Sequence, residues 1–335
     1  MRVLGQLLSL TFAAATAGGQ PPSAPTSPPR TAVSFSGPAM GSRYGVRVVM
    51  RPGDEAANER IRAAIARELA LADRLLSGGS ATSEISRLNA HASAAAFPVS
   101  RETLQALELA RRASELSGGA FDVTVAPFVA AWGFGPGGGP RAVPDSEALA
   151  ALGARVGYRL LQLDRKRSSV TKARPDVACD VSGLARGWAA DRIAGALVAL
   201  GHRDVLVDLG GEVAARGRRA DGGRWRVAVE WPDRSRERAL VLELENAAIA
   251  TAGDRILDPR TARPIAHDPA SVSVVDRDGA WADALATALL VLGPQEGRTL
   301  AARERLAARF VQRQPDGSFA EWSTAGFPRP AAVRE

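Results

Sequence analysis

Val177-Ala-Cys-Asp-Val-Ser-Gly-Leu-Ala-Arg-Gly187 is the stretch from which the rest of the chain is best read. Its first half, Val177 to Val181, has the length and apolar character of a buried strand, and the residues that follow, Leu184 to Leu200, read as a helix. A strand that turns directly into a helix presents free N–H groups and the positive end of the helix dipole at the turn. A phosphate is the natural guest of such a turn, although an ordinary strand-to-helix turn carries the same residues. The segment lacks the Gly-Lys-Ser/Thr ending of a Walker loop and the spacing of the dinucleotide-binding glycine fingerprint.

Outward from this turn, strands and helices are mixed rather than regularly alternating. Upstream, alternating apolar residues from Ala32 to Met50, interrupted at Gly37-Pro38, predict two short strands around Ala39-Met40-Gly41. Asp54 is placed to cap a long helix whose stripe Ile61, Ala64, Ile65, Leu69, Ala72, Leu75 and Leu76 runs to Gly78-Gly79. Ser100 opens a second helix through Leu116, stopped by Gly118-Gly119. A Gly/Pro loop (133–140), a short helix over 146–152 and a hairpin over 158–171 lead into the central turn. Downstream, short strands are expected at 205–209, 225–230, 240–244, 248–251 and 271–275, then two helices near 280–292 and 295–308. This order favours α+β: one mixed domain over residues 31–335, of short, largely antiparallel strands with packed helices.

Composition narrows the function classes. Hydrophobic residues make up 46% and charged residues 24% of 335, which rules out general disorder. The net charge of +7 rests on dispersed arginines, Arg216, Arg218, Arg219 and Arg224 being interleaved with Asp221 and Glu230, so no continuous cationic footprint for nucleic acid is present. Cys179 is the single cysteine, which excludes an intrachain disulfide. Arg2, the apolar run Val3 to Ala15 and the small residues of Ala15-Thr16-Ala17 predict a signal peptide over residues 1–17. The proline-rich residues 18–30 then read as an extended tether. The apolar run is shorter than the ~20 residues of a membrane span, and no later segment reaches that length without charges. An exported, periplasmic protein is expected, held at the inner membrane only if its signal stays uncleaved.

Near the C-terminus, Asp283 and Thr287 are spaced i,i+4 in Trp281-Ala-Asp-Ala-Leu-Ala-Thr-Ala, so both oxygens leave one face of an otherwise apolar helix. A hydrogen bond to a neighbouring turn would satisfy them; so would a hard cation such as Mg²⁺, which takes oxygen ligands and bridges substrate phosphates. His91, His202 and His267 sit in unrelated contexts, which argues against zinc.

The order of motifs resembles the ApbE-type FAD:protein FMN transferases over roughly residues 35–325. The resemblance rests on Ala39-Met-Gly-Ser42, Ser83-Glu-Ile-Ser-Arg-Leu-Asn89, Gly118 to Pro127, Trp132-Gly-Phe134, Asp180 to Gly187, Val207-Asp-Leu-Gly-Gly-Glu212, Ile256-Leu-Asp-Pro-Arg-Thr261 and Ala282 to Thr287, continued by Leu292-Gly-Pro-Gln-Glu296. It implies an enzyme that attaches FMN from FAD to a threonine of an exported electron-transfer protein, releasing AMP. It further implies that Asp180 and Arg186 hold FAD, that Met40, Ala120, Phe121, Asp122 and Leu257 line the rest of that site, and that Gly183, Asp283 and Thr287 bind Mg²⁺.

Three departures from the family pattern stand out. Arg255 occupies the place of the usual histidine before the Ile-Asp-Pro-like segment, and an arginine stabilises anions but is no base near neutrality. The neighbouring Asp258 would then take the base role, with Arg255 and Asp283 as the other catalytic candidates. Gly253-Asp254 runs straight into Arg255 without the usual hairpin, and Ser77-Gly78-Gly79 stands where an aromatic is common. These departures keep open a catalytically impaired flavin-binding relative or an FAD pyrophosphatase.

Overall fold

A computed structural model describes residues 30–51, 53–135, 138, 143–232, 240–253, 256–265 and 269–331. The predicted signal peptide and most of the tether lie outside these residues. The chain opens with the antiparallel hairpin β1 (Thr31–Ala39) and β2 (Ser42–Met50), Phe35 opposite Val46. The interruption expected at Gly37-Pro38 does not occur. β1 is an edge strand, where proline is tolerated, and Gly37 leaves room for the ring of its cross-strand partner Tyr44, 2.8 Å from where a Cβ would stand.

Helix α1 (Glu55–Leu76), helix α2 (Glu84–Ala90), strand β3 (Phe97–Pro98) and helix α3 (Arg101–Leu116) follow. The side chains of Asp54, Ser83 and Ser100 accept hydrogen bonds from the first-turn N–H groups of Ala57, Ser86 and Thr103. After α4 (Ala126–Trp132) and α5 (Ser146–Gly153) come the hairpin β4 (Leu161–Asp164) and β5 (Ser169–Lys172), then helix α6 (Ser182–Ala199). The remainder is β6 (Val205–Leu209), β7 (Glu212–Arg216), β8 (Trp225–Val229), β9 (Leu240–Leu244), β10 (Ala247–Ala252), β11 (Leu257–Asp258), β12 (Arg263–Pro264), β13 (Pro269–Asp276), α7 (Gly279–Arg303), β14 (Ala307–Arg313) and β15 (Phe319–Ser323).

Eight strands form one antiparallel sheet in the order β1-β2-β6-β7-β10-β13-β14-β15. Helices α1 and α6 bury Ile61, Ile65, Ile193 and Leu197 against β1, β2 and β6, while α7 buries Leu285 and Leu289 against β10, β13 and β14. The hairpin β8–β9 covers the other face with Trp225 and Leu242. A second core, containing Leu88, Leu107, Val170 and Cys179, lies between α2, α3, the β4–β5 hairpin and the sides of α6 and α7 facing away from the sheet. The expected α+β architecture is therefore present.

Three further readings of the sequence differ from the structure. Residues 177–181 are largely buried but pair with no strand; their polar backbone is served instead by the side chain of Asn89 and by the carbonyl of Val123. β7 was not expected, because Glu-Val-Ala-Ala-Arg is buried on both faces of the sheet and shows no alternation. The last helix breaks at Gly293 (φ 75°, ψ −169°) ahead of Pro294 and ends at Arg303, so residues 307–308, read as helical, begin β14. That strand too is buried on both faces between β13 and β15.

Helices α6 and α7 cross at glycines. A Cβ on Gly187 would lie 2.2 Å from the carbonyl oxygen of Gly279, so only glycine permits this approach. Gly187→Ala is expected to destabilise the protein by about 3 kcal/mol, whereas Gly195→Ala, on the same helix with nothing within 4 Å, should be neutral or stabilising. Denaturant unfolding of the two variants measures the contrast.

Candidate active site

The crossing brings the first turn of α6 over the middle of α7. A Cβ on Gly183 would stand 3.1 Å from Cε2 of Phe121 and 3.3 Å from Oγ1 of Thr287, so all three meet at one point. One helical turn before Thr287, Asp283 is 5% exposed and its Oδ2 accepts the N–H of Gly187 at 3.1 Å. On the neighbouring face of α6, Arg186 reaches Glu212, with Nε 2.8 Å from Oε2 and an Nη2 hydrogen bond of 3.0 Å to Oε1. Glu212, only 2% exposed, follows the Gly210-Gly211 turn, which lies against Ser42 and the Arg186 stem. Ser42 follows the Met40-Gly41 turn of the first hairpin, where Met40 takes a left-handed backbone (φ 48°) and packs on both large cores. A positive φ costs a methionine of order 1 kcal/mol.

Burial dominates the electrostatics at this crossing. Burial holds the carboxyls of both Glu212 and Asp283 above the ordinary range; Arg186 opposes this shift at each of them, and the Gly187 N–H opposes it at Asp283. Among the described residues the Thr287 hydroxyl has no hydrogen-bond partner, and only one oxygen of Asp283 has one. No group of three His, Cys, Asp or Glu side chains poised for a metal exists among the described residues. The available donors are hard oxygens, a carboxylate and a hydroxyl beside the main chain of Gly183. That set fits Mg²⁺, which binds through one or two protein carboxylates together with substrate phosphates.

Of the other candidates only Phe121 meets Gly183 directly; the rest stand on other segments and share no hydrogen bond with Asp283 or Thr287 among the described residues. Asp180 precedes α6, with its N–H on the Val123 carbonyl (2.6 Å) and its Oδ1 accepting from Ser182 N–H (2.8 Å). Ala120 and Phe121 are buried at the end of the turn that follows α3. Asp122 is fully engaged: Oδ1 accepts from the N–H and hydroxyl of Thr124, and Oδ2 from the N–H of Tyr158 at 2.6 Å. Its carboxyl is raised by burial, against the pull of those bonds. Leu257 is buried with Phe128, Leu149 and Ala262 in a separate small cluster. Asp258 is gripped by the Arg260 guanidinium, Nε 3.0 Å from Oδ1 and Nη2 2.9 Å from Oδ2, and the Arg260 stem lies beside Gly119. Gly78 and Gly79 form an exposed turn. Arg255 and His267 lie outside the described residues. Burial drives the Cys179 thiol up to about 12, which makes it a core residue and no nucleophile. Sequence reasoning quoted Glu212 only as the end of a motif; its one signal was an acidic residue directly after paired glycines at a turn.

Comparison with known proteins places the chain in a family. The model of the ApbE family matches residues 40–310. The FAD:protein FMN transferase of Vibrio cholerae is 35% identical over 313 residues, covering 89% of this chain and 92% of that protein. The Escherichia coli protein of the same name is 31% identical over 310 residues, covering 88% and 87%. Among solved structures, the flavin transferase ApbE from Vibrio cholerae superposes with a TM-score of 0.82 at 35% identity, covering 89% of this chain and 99% of that one. The apo form of the Pseudomonas stutzeri flavinyl transferase ApbE does so with a TM-score of 0.82 at 35% identity, covering 89% and 96%. No helix among the described residues is long and apolar enough to cross a membrane. With the family model spanning most of the chain and relatives this similar along nearly their whole length, the chain belongs to the ApbE family of FAD:protein FMN transferases.

Proposed function

We propose that this chain transfers the FMN half of FAD to a threonine hydroxyl of an exported electron-transfer protein, with Mg²⁺ as the ion at the site. The new bond joins the threonine oxygen to the FMN-side phosphorus, the anhydride bond to the bridging oxygen breaks, AMP departs, and the hydroxyl proton passes to a base or to water. The observation that carries this reading is the convergence of Thr287, Asp283 and Gly183, with oxygens left unengaged, against the start of α6. Asp283, Thr287 and the main chain at Gly183 would hold Mg²⁺, which when bound would supply charge neutralisation to the pyrophosphate oxygens.

The chain's own groups supply the rest. Arg186, kept in place by buried Glu212, sets a fixed positive charge beside the first turn of α6. Phe121 and Met40 supply apolar wall for the flavin nucleotide, and Asp180 a carboxylate at its edge. Asp258 can accept the hydroxyl proton only after Arg260 loosens its two-point hold, because that hold engages both carboxylate oxygens. The signal-like residues 1–17 and the proline-rich 18–30 support action outside the cytoplasm.

Incubating residues 18–335 with FAD, Mg²⁺ and a threonine-bearing acceptor domain should yield FMN-modified acceptor and matching AMP. Mass spectrometry reads the product, and Asp283→Ala or Thr287→Ala should cut the rate roughly 100-fold or more. FMN and AMP without modified acceptor, where an authentic transferase modifies the same domain, would favour the pyrophosphatase; bound, unchanged FAD would favour the flavin-binding relative. A second expectation concerns stability. The raised Glu212 and Asp283 carboxyls bind protons more tightly in the folded than in the unfolded chain. Their contribution is therefore complete below the ordinary carboxylate range of about 4 and is lost as pH rises through the raised values. Metal-free wild type should lose Tm between pH 5 and 8 more steeply than Glu212→Gln; parallel Tm profiles for the two would refute it.

A further inference from the structure

Asp180 is kept in place by groups that the proposed chemistry does not use. The side-chain amide of Asn89 makes two bonds to the residue before it: Nδ2 donates to the Cys179 carbonyl at 2.8 Å, and Oδ1 accepts the Cys179 N–H at 2.7 Å. One donor and one acceptor facing a single residue is what a neighbouring β-strand offers, so Asn89 replaces the missing ladder partner of residues 177–181. Asn89 is itself tethered at the end of α2. Lys172, 1% exposed on β5, donates from Nζ to the carbonyls of Leu88 (3.1 Å) and Asn89 (3.2 Å). At the other end of α2, Glu84 accepts from the N–H (2.9 Å) and hydroxyl (2.6 Å) of Ser100. The next link is the Asp180 N–H on the Val123 carbonyl, beside the fully bonded Asp122.

We infer that Asn89, anchored by Lys172, is a positioning residue for FAD: its amide fixes Cys179 so that the Asp180 carboxylate faces the nucleotide. The inference rests on the reading that FAD is held at Asp180–Gly187. Removing the amide leaves the N–H and C=O of Cys179 without partners in the core, and the segment must shift to find others. Cys179 is 3% exposed and Val181 is 2% exposed, so that shift is transmitted along the chain to Asp180 rather than absorbed by solvent-facing loop.

The test is a titration of FAD in the presence of Mg²⁺ on wild type, Asn89→Ala, Asp180→Ala and the double variant, with Tm measured alongside. Val170→Ala, a fully buried residue of the same core, serves as the stability control. Asn89→Ala is expected to weaken FAD about tenfold, and the double variant should bind no worse than Asp180→Ala, because the effect of Asn89 passes through Asp180. Val170→Ala should lower Tm without changing FAD affinity. Lys172→Met should weaken FAD in the same direction by a smaller factor. Asn89→Asp, which still accepts from the Cys179 N–H but cannot donate to its carbonyl, should fall between wild type and alanine, and it carries the test if the alanine variant does not fold. Unchanged FAD affinity in the Asn89 variants, with Asp180→Ala weakened, overturns the positioning role and leaves the location of FAD standing. Additive losses in the double variant, or an equal loss in Val170→Ala, overturn it in favour of a purely structural role. An Asp180→Ala variant with wild-type affinity removes the placement of FAD itself, and the inference with it.

Discussion

The contact between Gly187 of α6 and Gly279 of α7 sets the distance on which the rest of the site depends. With a Cβ excluded at 2.2 Å from a carbonyl oxygen, the two helices approach until the Gly187 N–H can reach Asp283. That same approach brings Gly183 to Thr287, so the spacing of the oxygen donors is a property of the helix crossing rather than of any loop. Asp191 of α6 reinforces the contact by accepting from the N–H of Gly279 while paired to Arg216 on β7 at 2.6 Å. Backbone packing thus holds charged groups that, left to themselves, would separate or seek water.

Burial and charge work against one another at this point. Glu212 and Asp283 lie within one region of low exposure with Arg186 as their shared cation, an arrangement with two acidic groups for one base. A buried ion pair seldom adds much stability by itself, since desolvation offsets the attraction. Its presence here is better understood as preorganisation: the arginine is oriented and the carboxylates are short of positive charge before any ligand arrives.

How far the sequence disclosed this depends on the kind of signal each feature leaves. The caps Asp54 and Ser100 act within three residues and need no tertiary context, which is why α1 and α3 begin as expected. Asp283 and Thr287 could be placed on one face because helical spacing is local. Glu212 and the Asn89 amide work through partners 26 and 90 residues away, so nothing in their own neighbourhood announces them. The segment 177–181 misled for the opposite reason: it has a strand's composition, yet a side chain satisfies what a strand would have. β7 and β14 escaped because strands buried on both faces lose the alternation that marks a half-exposed one.

The sheet order carries a consequence for how the enzyme comes into being. β2 lies beside β6, Val46 against Val207, so the hairpin bearing Met40 finds its neighbour only after some 160 further residues have been made. Chains dominated by such distant pairings fold slowly, since the entropy of a large loop is lost before the contacts that compensate it form. The proposed nucleotide site, built from residues at both ends of that loop, is complete only once this pairing has formed, and FAD bound there would withdraw the finished fold from the folding equilibrium.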